Sequence, residues 1–480
     1  MQCKEAPVLE LSIARSLRVR QQDDPAEPLI SSLARAFKRN PRDRAIAALA
    51  VPALGTLAID PLVSIVDTAW VGRIGTVPLA ALAVASAVFG AVFAVFNFVH
   101  VTITPLVAGE VGRGAPERAG GITKGAIVIS IVLGVALAFV IGSLAELIVE
   151  AFGASGDVLE QSVAYLKVRI VALPAMLVVM VGHGVYRGHQ DTRTPLYVAI
   201  GMNLINLVVD PILIFGAGMG VVGAAWATVL AQTLAAVAFL VLMFGRDRIR
   251  FGLGGMISGF RGLGMGRILG DGWPMMVRSA SLLLGLTATT YAATQIGTIE
   301  VAAHQIALQT WLFMSFVLDS FAVAAMALIG ADLGAEKRES AKDLANRLLA
   351  LGFVAGIALA LGLAAFQPFL AGIFSAEPAV EAALDSVLVF VIVLQPITAL
   401  VYVWDGVGIG ASAFPFMASA MVVATVLTVA TLVMLGSTLV GVWVALAVLI
   451  FSRLVAWVGW HRWGPLSSER DPYLGSRAAL

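Results

Sequence analysis

The sequence predicts an all-α, polytopic membrane protein of about twelve transmembrane helices in two pseudo-symmetric six-helix lobes, and three observations carry that expectation. The first is composition: 59% of the 480 residues are hydrophobic and 13% are charged, with a mean hydropathy of +0.94, whereas soluble domains carry about 25% charged residues. The second is that the apolar residues gather into runs of about 18 or more with few charges, which is the length a helix needs to cross a bilayer. The third is an internal repeat. Residues 45–188 can be written over residues 267–410 at a constant offset of 222 without a gap. Pro52 then falls on Pro274, Gly112 on Gly334, Gly134 on Gly356, Phe152 on Phe374, Pro174 on Pro396 and Gly188 on Gly410, while IGTVPLAALAV (74–84) falls on IGTIEVAAHQI (296–306). Each lobe has an even number of spans, so the two share one orientation and the repeat is parallel.

Taken in order, the candidate spans are 45–71, 79–108, 121–148, 161–186, 195–216, 221–244, 273–296, 301–329, 343–369, 386–409, 415–435 and 438–461. They are too long and too uniformly apolar to be strands of a membrane barrel. Residues 1–44 are charged and polar with no apolar stretch near the start, and they read as a cytoplasmic arm rather than a cleavable leader. Residues 45–245 form the N-lobe, 246–272 a basic, Gly-rich linker with an interfacial character, 273–461 the C-lobe and 462–480 a cytoplasmic tail. Basic residues fall on alternate sides of the spans, at Arg42/Arg44, Arg113/Arg118/Lys124, Arg187/Arg193, Arg246/Arg248/Arg250 and Lys337/Arg338/Lys342. The opposite loops hold Arg73 and acidic groups such as Glu150, Asp157, Glu300, Glu377 and Glu381. The positive-inside rule puts both termini in the cytoplasm of a cell membrane, plasma or bacterial inner.

Other features exclude function classes. A net charge of +1 gives no pull on nucleic acid, and the single cysteine, Cys3, allows neither an intrachain disulfide nor a cysteine metal cluster. No cofactor is expected. The expected partners are a small-molecule substrate, protons or sodium ions, and membrane lipids, with the chain a monomer.

Two carboxylates stand alone inside apolar runs, Asp67 in AIDPLVSIVDTAWVG and Asp210 in NLINLVVDPILIFG. An ionisable group at membrane depth costs several kcal/mol unless paired, hydrated or neutralised, and it marks an ion or substrate path by default. Asp60 lies seven residues before Asp67, two turns away on nearly the same helix face. Asn203, Asn206 and Asp210 form a polar stripe at i, i+3 and i+7. Thr228 offers a hydroxyl in the next span, and His183 lies in the fourth. These groups are expected to converge on one cavity, where Asp67 and Asp210 share a proton or hold one monovalent cation with Asn206 and Thr228 as oxygen ligands. At the repeat offset Asp67 falls on Thr289 and Asp60 on Leu282, and Asp210 falls opposite an apolar stretch, which confines the site to the N-lobe.

Structural readings compete. Asp67 and Asp210 can instead pin two helices together, the less favoured reading given what such groups cost, Asp60 can cap a break at Pro61, and Asn203, Asn206 and Thr228 can act as interhelical glue. His183 and His304 read as packing histidines, although His183 can titrate near neutrality. Asp60 and Asp210 each precede a proline, which frees carbonyls near Leu57 and Leu207 and marks a place to bend. Arg278 is read as the one intramembrane cation of the C-lobe, with Asp319 or Asp405 as its partner, and as a candidate for the substrate cavity alongside Asn203 and His183.

Nearly the whole chain after residue 45 resembles the multidrug and toxic compound extrusion (MATE) family, through IDPLVSIVDTAWVGRIG, YRGHQDTRTP, NLVVDPILIFGAGMGVVGAAWATVLAQ, VAAHQIALQTW and QPITALVYVWDGVGIGASAF. It is similar to the DinF-like branch. The resemblance implies a secondary antiporter that exports organic solutes in exchange for protons or sodium ions. It also implies a cation site at Asp67, Asp210, Asn206 and Thr228, with Asp60 at a polar position. His183 stands where prokaryotic members often carry asparagine, and Asp60-Pro61, Asp319 and WDGVGIGAS are similar to plant members that move organic acids. Xenobiotic and organic acid therefore both stay open as substrates. A lipid-intermediate flippase of the same superfamily is the alternative, and it would need a strongly cationic central cavity for which few intramembrane Arg or Lys exist. A channel fits the lobe repeat less well. An intramembrane enzyme lacks an HExxH motif or any nucleophile and base set.

Overall fold

The computed structural model describes residues 40–96, 98–254, 264–374 and 377–463. Most of the expected arm and tail and part of the linker lie outside these residues. Among the described residues the chain is helical without strands, as unbroken backbone hydrogen bonding in lipid requires.

The N-lobe comprises α1 (Arg42–Gly72), α2 (Thr76–Phe96), α3 (Phe98–Gly112), α4 (Pro116–Ser143), the short α5 (Ala145–Ala151), α6 (Gly156–Arg169), α7 (Leu173–Gly188), α8 (Arg193–Pro211) and α9 (Gly220–Val241). A 3-10 turn, Ile170–Ala172, joins α6 to α7, and π turns extend α8 over Ile212–Gly216 and α9 over Leu242–Arg246. The C-lobe comprises α10 (Met265–Ile296), α11 (Thr298–Gly334), α12 (Arg338–Phe374), α13 (Pro378–Gly410), α14 (Phe414–Leu435) and α15 (Leu439–Trp463).

The repeat persists in the backbone. The pair α2/α3, Thr76–Gly112, lies 222 positions before α11, Thr298–Gly334, at both ends, and Gly156–Gly188 stands in the same relation to Pro378–Gly410. Even the left-handed residues repeat: Gly114 (φ 67°) with Glu336 (φ 61°), and Gln190 (φ 58°) with Ser412 (φ 53°). Glu336, Gln190 and Ser412 adopt a conformation that disfavours side chains, so the loop geometry itself is common to both lobes.

Among the described residues eleven helices are long and apolar enough to cross a membrane. The seventh expected span, α10, is 32 residues long but is not among them. Asp271, Arg278 and its many Ser and Thr residues dilute its hydropathy. The helices also start earlier than the apolar runs do. α12 begins at Arg338 rather than 343 and α13 at Pro378 rather than 386, because charged first turns are helical yet score as loop. The break at Pro61 that Asp60 could have capped is absent, since α1 runs unbroken through Pro52 and Pro61. After Pro211 the backbone does change, passing directly into the π turn.

The lobes meet most closely at the end carrying the basic loops. A Cβ on Gly112 would lie 2.1 Å from the Ala331 carbonyl oxygen, and one on Gly334 would lie 2.1 Å from that of Gly109. Ala331 is the repeat partner of Gly109, so this is one contact seen from both lobes, a local pseudo-two-fold. Around it Arg42 donates to the Ser340 carbonyl (3.0 Å), Arg347 pairs with Asp43 (2.7 Å) and Arg267 reaches Glu110 (3.4 Å). We expect Gly334→Val to hold this end apart, because the neighbour is rigid backbone and overpacking costs about 1–3 kcal/mol. Disulfide trapping of an Arg42→Cys/Ser340→Cys pair should fall about tenfold or more, with Cys3, the only native thiol, replaced. Undiminished cross-linking would contradict the closure described.

Candidate cation and substrate site

The polar residues of α1, α8 and α9 come together as two linked groups. In the first, the Asn206 carboxamide lies among three neighbours, 3.0 Å from Asp67 Oδ1, 3.4 Å from Asp210 Oδ1 and 3.3 Å from Thr228 Oγ1. With its nitrogen toward Asp67 the amide donates to that carboxylate and its oxygen accepts from Thr228, so both ends are satisfied. The single Thr228 proton serves either that oxygen or the Ala224 carbonyl, 3.0 Å from Oγ1. Asp210 is 0% exposed, and its Oδ2 has no hydrogen-bond partner among the described residues. Its charged neighbour is Asp67, itself half-buried. Two carboxylates this close and this dry disfavour carrying two charges without a bound cation or proton.

In the second group, one turn along α8, Asn203 donates to Asp60 Oδ1 at 2.8 Å and to the Ala199 carbonyl at 2.9 Å. Asp60 thus binds a neighbouring helix instead of capping a break. Val71, Leu82, Ala85, Tyr165, Ile214 and Ala224 close into a small apolar cluster beside these groups.

His183 and Arg278 do not join them. His183, half-buried on α7, makes an edge contact with Phe239 at 5.4 Å between centroids. Arg278 lies in the other lobe and pairs with Asp405 at 2.5 Å. It is not the sole cation there: Arg453 on α15 also binds Asp405, and Trp457 Nε1 donates to Asp405 Oδ1 at 2.9 Å. Asp319 interacts electrostatically with this group and with Arg187 of the N-lobe.

Sequence reasoning passed over Arg169. This buried guanidinium donates to Gln232 Oε1 at 3.0 Å, stacks 4.0 Å over Phe89 and interacts with Asp67. The signal was present, a cation inside the expected fourth span.

At the opposite end of α8, outside the membrane spans, Asp247 accepts from Tyr186 (2.7 Å) and Arg246 (2.8 Å). Burial pushes its carboxyl up, and these hydrogen bonds outweigh that and hold it below its ordinary value. Burial pushes the nearby His189 imidazole down to about 4.

Among the described residues no three His, Cys, Asp or Glu side chains gather as a metal site. Two carboxylates with a neutral amide and a hydroxyl instead suit a proton or a monovalent cation. The family model for MatE matches this chain twice, over residues 52–212 and 274–434. The chain belongs to the MatE family. The matched ranges repeat the 222-residue offset. The chain is 33% identical over 440 residues to Protein DETOXIFICATION 44, chloroplastic, of Arabidopsis thaliana, covering 88% of this chain and 82% of that one. It is 28% identical over 417 residues to DNA damage-inducible protein F of Escherichia coli strain K12, covering 86% and 90%. In fold it is similar to the outward-facing conformation of a multidrug resistance MATE family transporter of the MOP superfamily, with a TM-score of 0.79, 21% identity and coverage of 93% and 98%. This MatE chain is therefore an integral membrane efflux transporter and not an enzyme.

Proposed function

We propose that this transporter is a secondary antiporter exporting a small organic compound, xenobiotic or organic acid, in exchange for protons or sodium ions. The observation that carries the reading is the convergence of Asp67, Asn206, Asp210 and Thr228 from three helices of the N-lobe, with an unpartnered, fully buried oxygen on Asp210. Uptake of a proton or sodium ion neutralises that cluster. A ligand shifts a conformational equilibrium only through unequal affinity for its two states, and loading this site biases the lobes toward one arrangement of an alternating-access cycle. Residues 45–245 and 273–461 act as the moving lobes, joined by 246–272, with both termini cytoplasmic and the chain working as a monomer. Asp60 and Asn203 extend the polar surface toward the substrate.

The flippase reading needs a cationic cavity, and most of the described arginines away from solvent favour it poorly: Arg169 is engaged by Gln232, half-buried Arg278 and buried Arg453 by Asp405, and Arg347 by Asp43, while buried Arg187 interacts electrostatically with Asp319. Proteoliposome transport of a cationic dye and of citrate, under separately imposed proton and sodium gradients, tests the proposal. Saturable transport driven by one gradient is expected. Flux that neither gradient accelerates would reject coupling, and flux that does not saturate would indicate a channel.

A further inference from the structure

Two adjoining openings lie at the basic-loop end of the N-lobe, about 24 Å along α8 from Asp210. One is a cavity of about 540 Å³ bounded by Ala45 and Leu49 of α1, the turn at 190–194, Leu328 of α11 and the arginines 193, 246 and 250. The other, of about 290 Å³, is an apolar groove down the α8/α9 seam, lined by Tyr197, Met202, Ile205, Leu234 and Leu242 among others. Thr194 and Arg246 line both, so a cationic mouth opens directly into an apolar slot.

The charges at the mouth do not cancel. Asp191 is occupied in starting α8, accepting from the backbone of Arg193 and Thr194 (3.0 Å each) and from Thr194 Oγ1 (2.8 Å). Asp247 is occupied by Tyr186 and Arg246. His189, stacked on Phe251 at 3.9 Å, is neutral because burial lowers it to about 4. Arg250 spends one donor on the His189 carbonyl (3.0 Å). Arg193 is exposed and makes no side-chain hydrogen bond or ion pair among the described residues. Three guanidiniums thus face two carboxylates already engaged, leaving the mouth net positive.

The groove has the depth of one leaflet. From Thr194 to Ile205 the helix rises about 16 Å, against about 15 Å for half a hydrocarbon core. A Cβ added at Gly201, in this groove, would meet nothing within 4 Å, and Tyr197 is 68% exposed beside it. A soluble phosphate compound would use the mouth and leave the slot empty, whereas a phospholipid fills both.

We propose that the two openings form one site for an anionic phospholipid of the leaflet facing the basic loops, its phosphate seated among Arg193, Arg246 and Arg250 and an acyl chain laid in the α8/α9 groove. Polybasic sites at this depth attract anionic headgroups. Leu328 belongs to the C-lobe, so the headgroup sits where the lobes adjoin.

Native mass spectrometry of the full chain tests this, titrated with phosphatidylglycerol, with phosphatidylcholine of the same chains, and with glycerol 3-phosphate. Phosphatidylglycerol should be retained about tenfold better than phosphatidylcholine. That preference should vanish in Arg193→Gln/Arg250→Gln, and both lipids should be lost in Gly201→Phe, which fills the slot without a clash. Unchanged melting temperatures would establish that these variants fold. Equal retention of the two lipids, or retention indifferent to the variants, overturns the proposal. Displacement of the lipid by equimolar glycerol 3-phosphate also overturns it, in favour of a soluble anion.

Discussion

Replacing Asp210 with asparagine should abolish gradient-driven transport while leaving a folded, membrane-inserted protein. The carboxylate is fully buried, one oxygen lies 3.4 Å from the Asn206 carboxamide, and the other has no hydrogen-bond partner among the described residues. Asparagine keeps the shape and a polar contact to Asn206 but can neither take up a proton nor balance a cation. A charge-assisted hydrogen bond contributes about 1.5–3 kcal/mol, so losing it from the loaded state should weaken ion binding roughly ten- to hundredfold. Folding should suffer little, because a buried charge gives way to a neutral group of the same size. Asp67→Asn should act in the same direction, and the double variant should be no worse than the worse single one, since residues of one network do not add. Proteoliposome uptake normalised to folded protein is the measurement. Either single variant transporting at the native rate under its driving gradient would remove that residue from the coupling site.

The architecture was legible in the sequence because bilayer thickness dictates the length of every span, and because the 222-residue repeat is copied down to the left-handed residues Gln190 and Ser412. The convergence of Asp67, Asn206, Asp210 and Thr228 was legible too, since a polar residue on an apolar helix must face something other than lipid. Pairing was not legible. Helices that are apolar all round give no periodic signal of which face meets which neighbour, so nothing told Asn203 to bind Asp60 or placed Arg453 beside Arg278. Nor did the sequence show where Arg169 points: its guanidinium turns to Gln232 and Phe89. The competing reading of a break at Pro61 does not hold, because neighbouring helices can satisfy a freed carbonyl and let a membrane helix continue.

Asp405→Ala should be the most destabilising single change in the C-lobe. Its carboxylate is bound by Arg278, Arg453 and the Trp457 indole, and removing it leaves two guanidiniums facing each other with side chains 16% and 5% exposed. Breaking a buried pair by removing one partner costs about 3–5 kcal/mol, because the other charge stays uncompensated. Arg278→Gln should cost much less, since Arg453 still neutralises Asp405 and the vacated side chain is the more exposed of the two. Substituting the whole set, Asp405→Leu with Arg278→Met and Arg453→Met, should recover most of the loss, as replacing a buried ion cluster by apolar groups is often close to neutral. Thermal unfolding in detergent orders the three variants. The same series separates a strut from a substrate contact. If Arg278 only braces Asp405, Arg278→Gln lowers the melting temperature slightly and leaves the KM for transport unchanged. A raised KM at unchanged stability would instead place Arg278 on the substrate path.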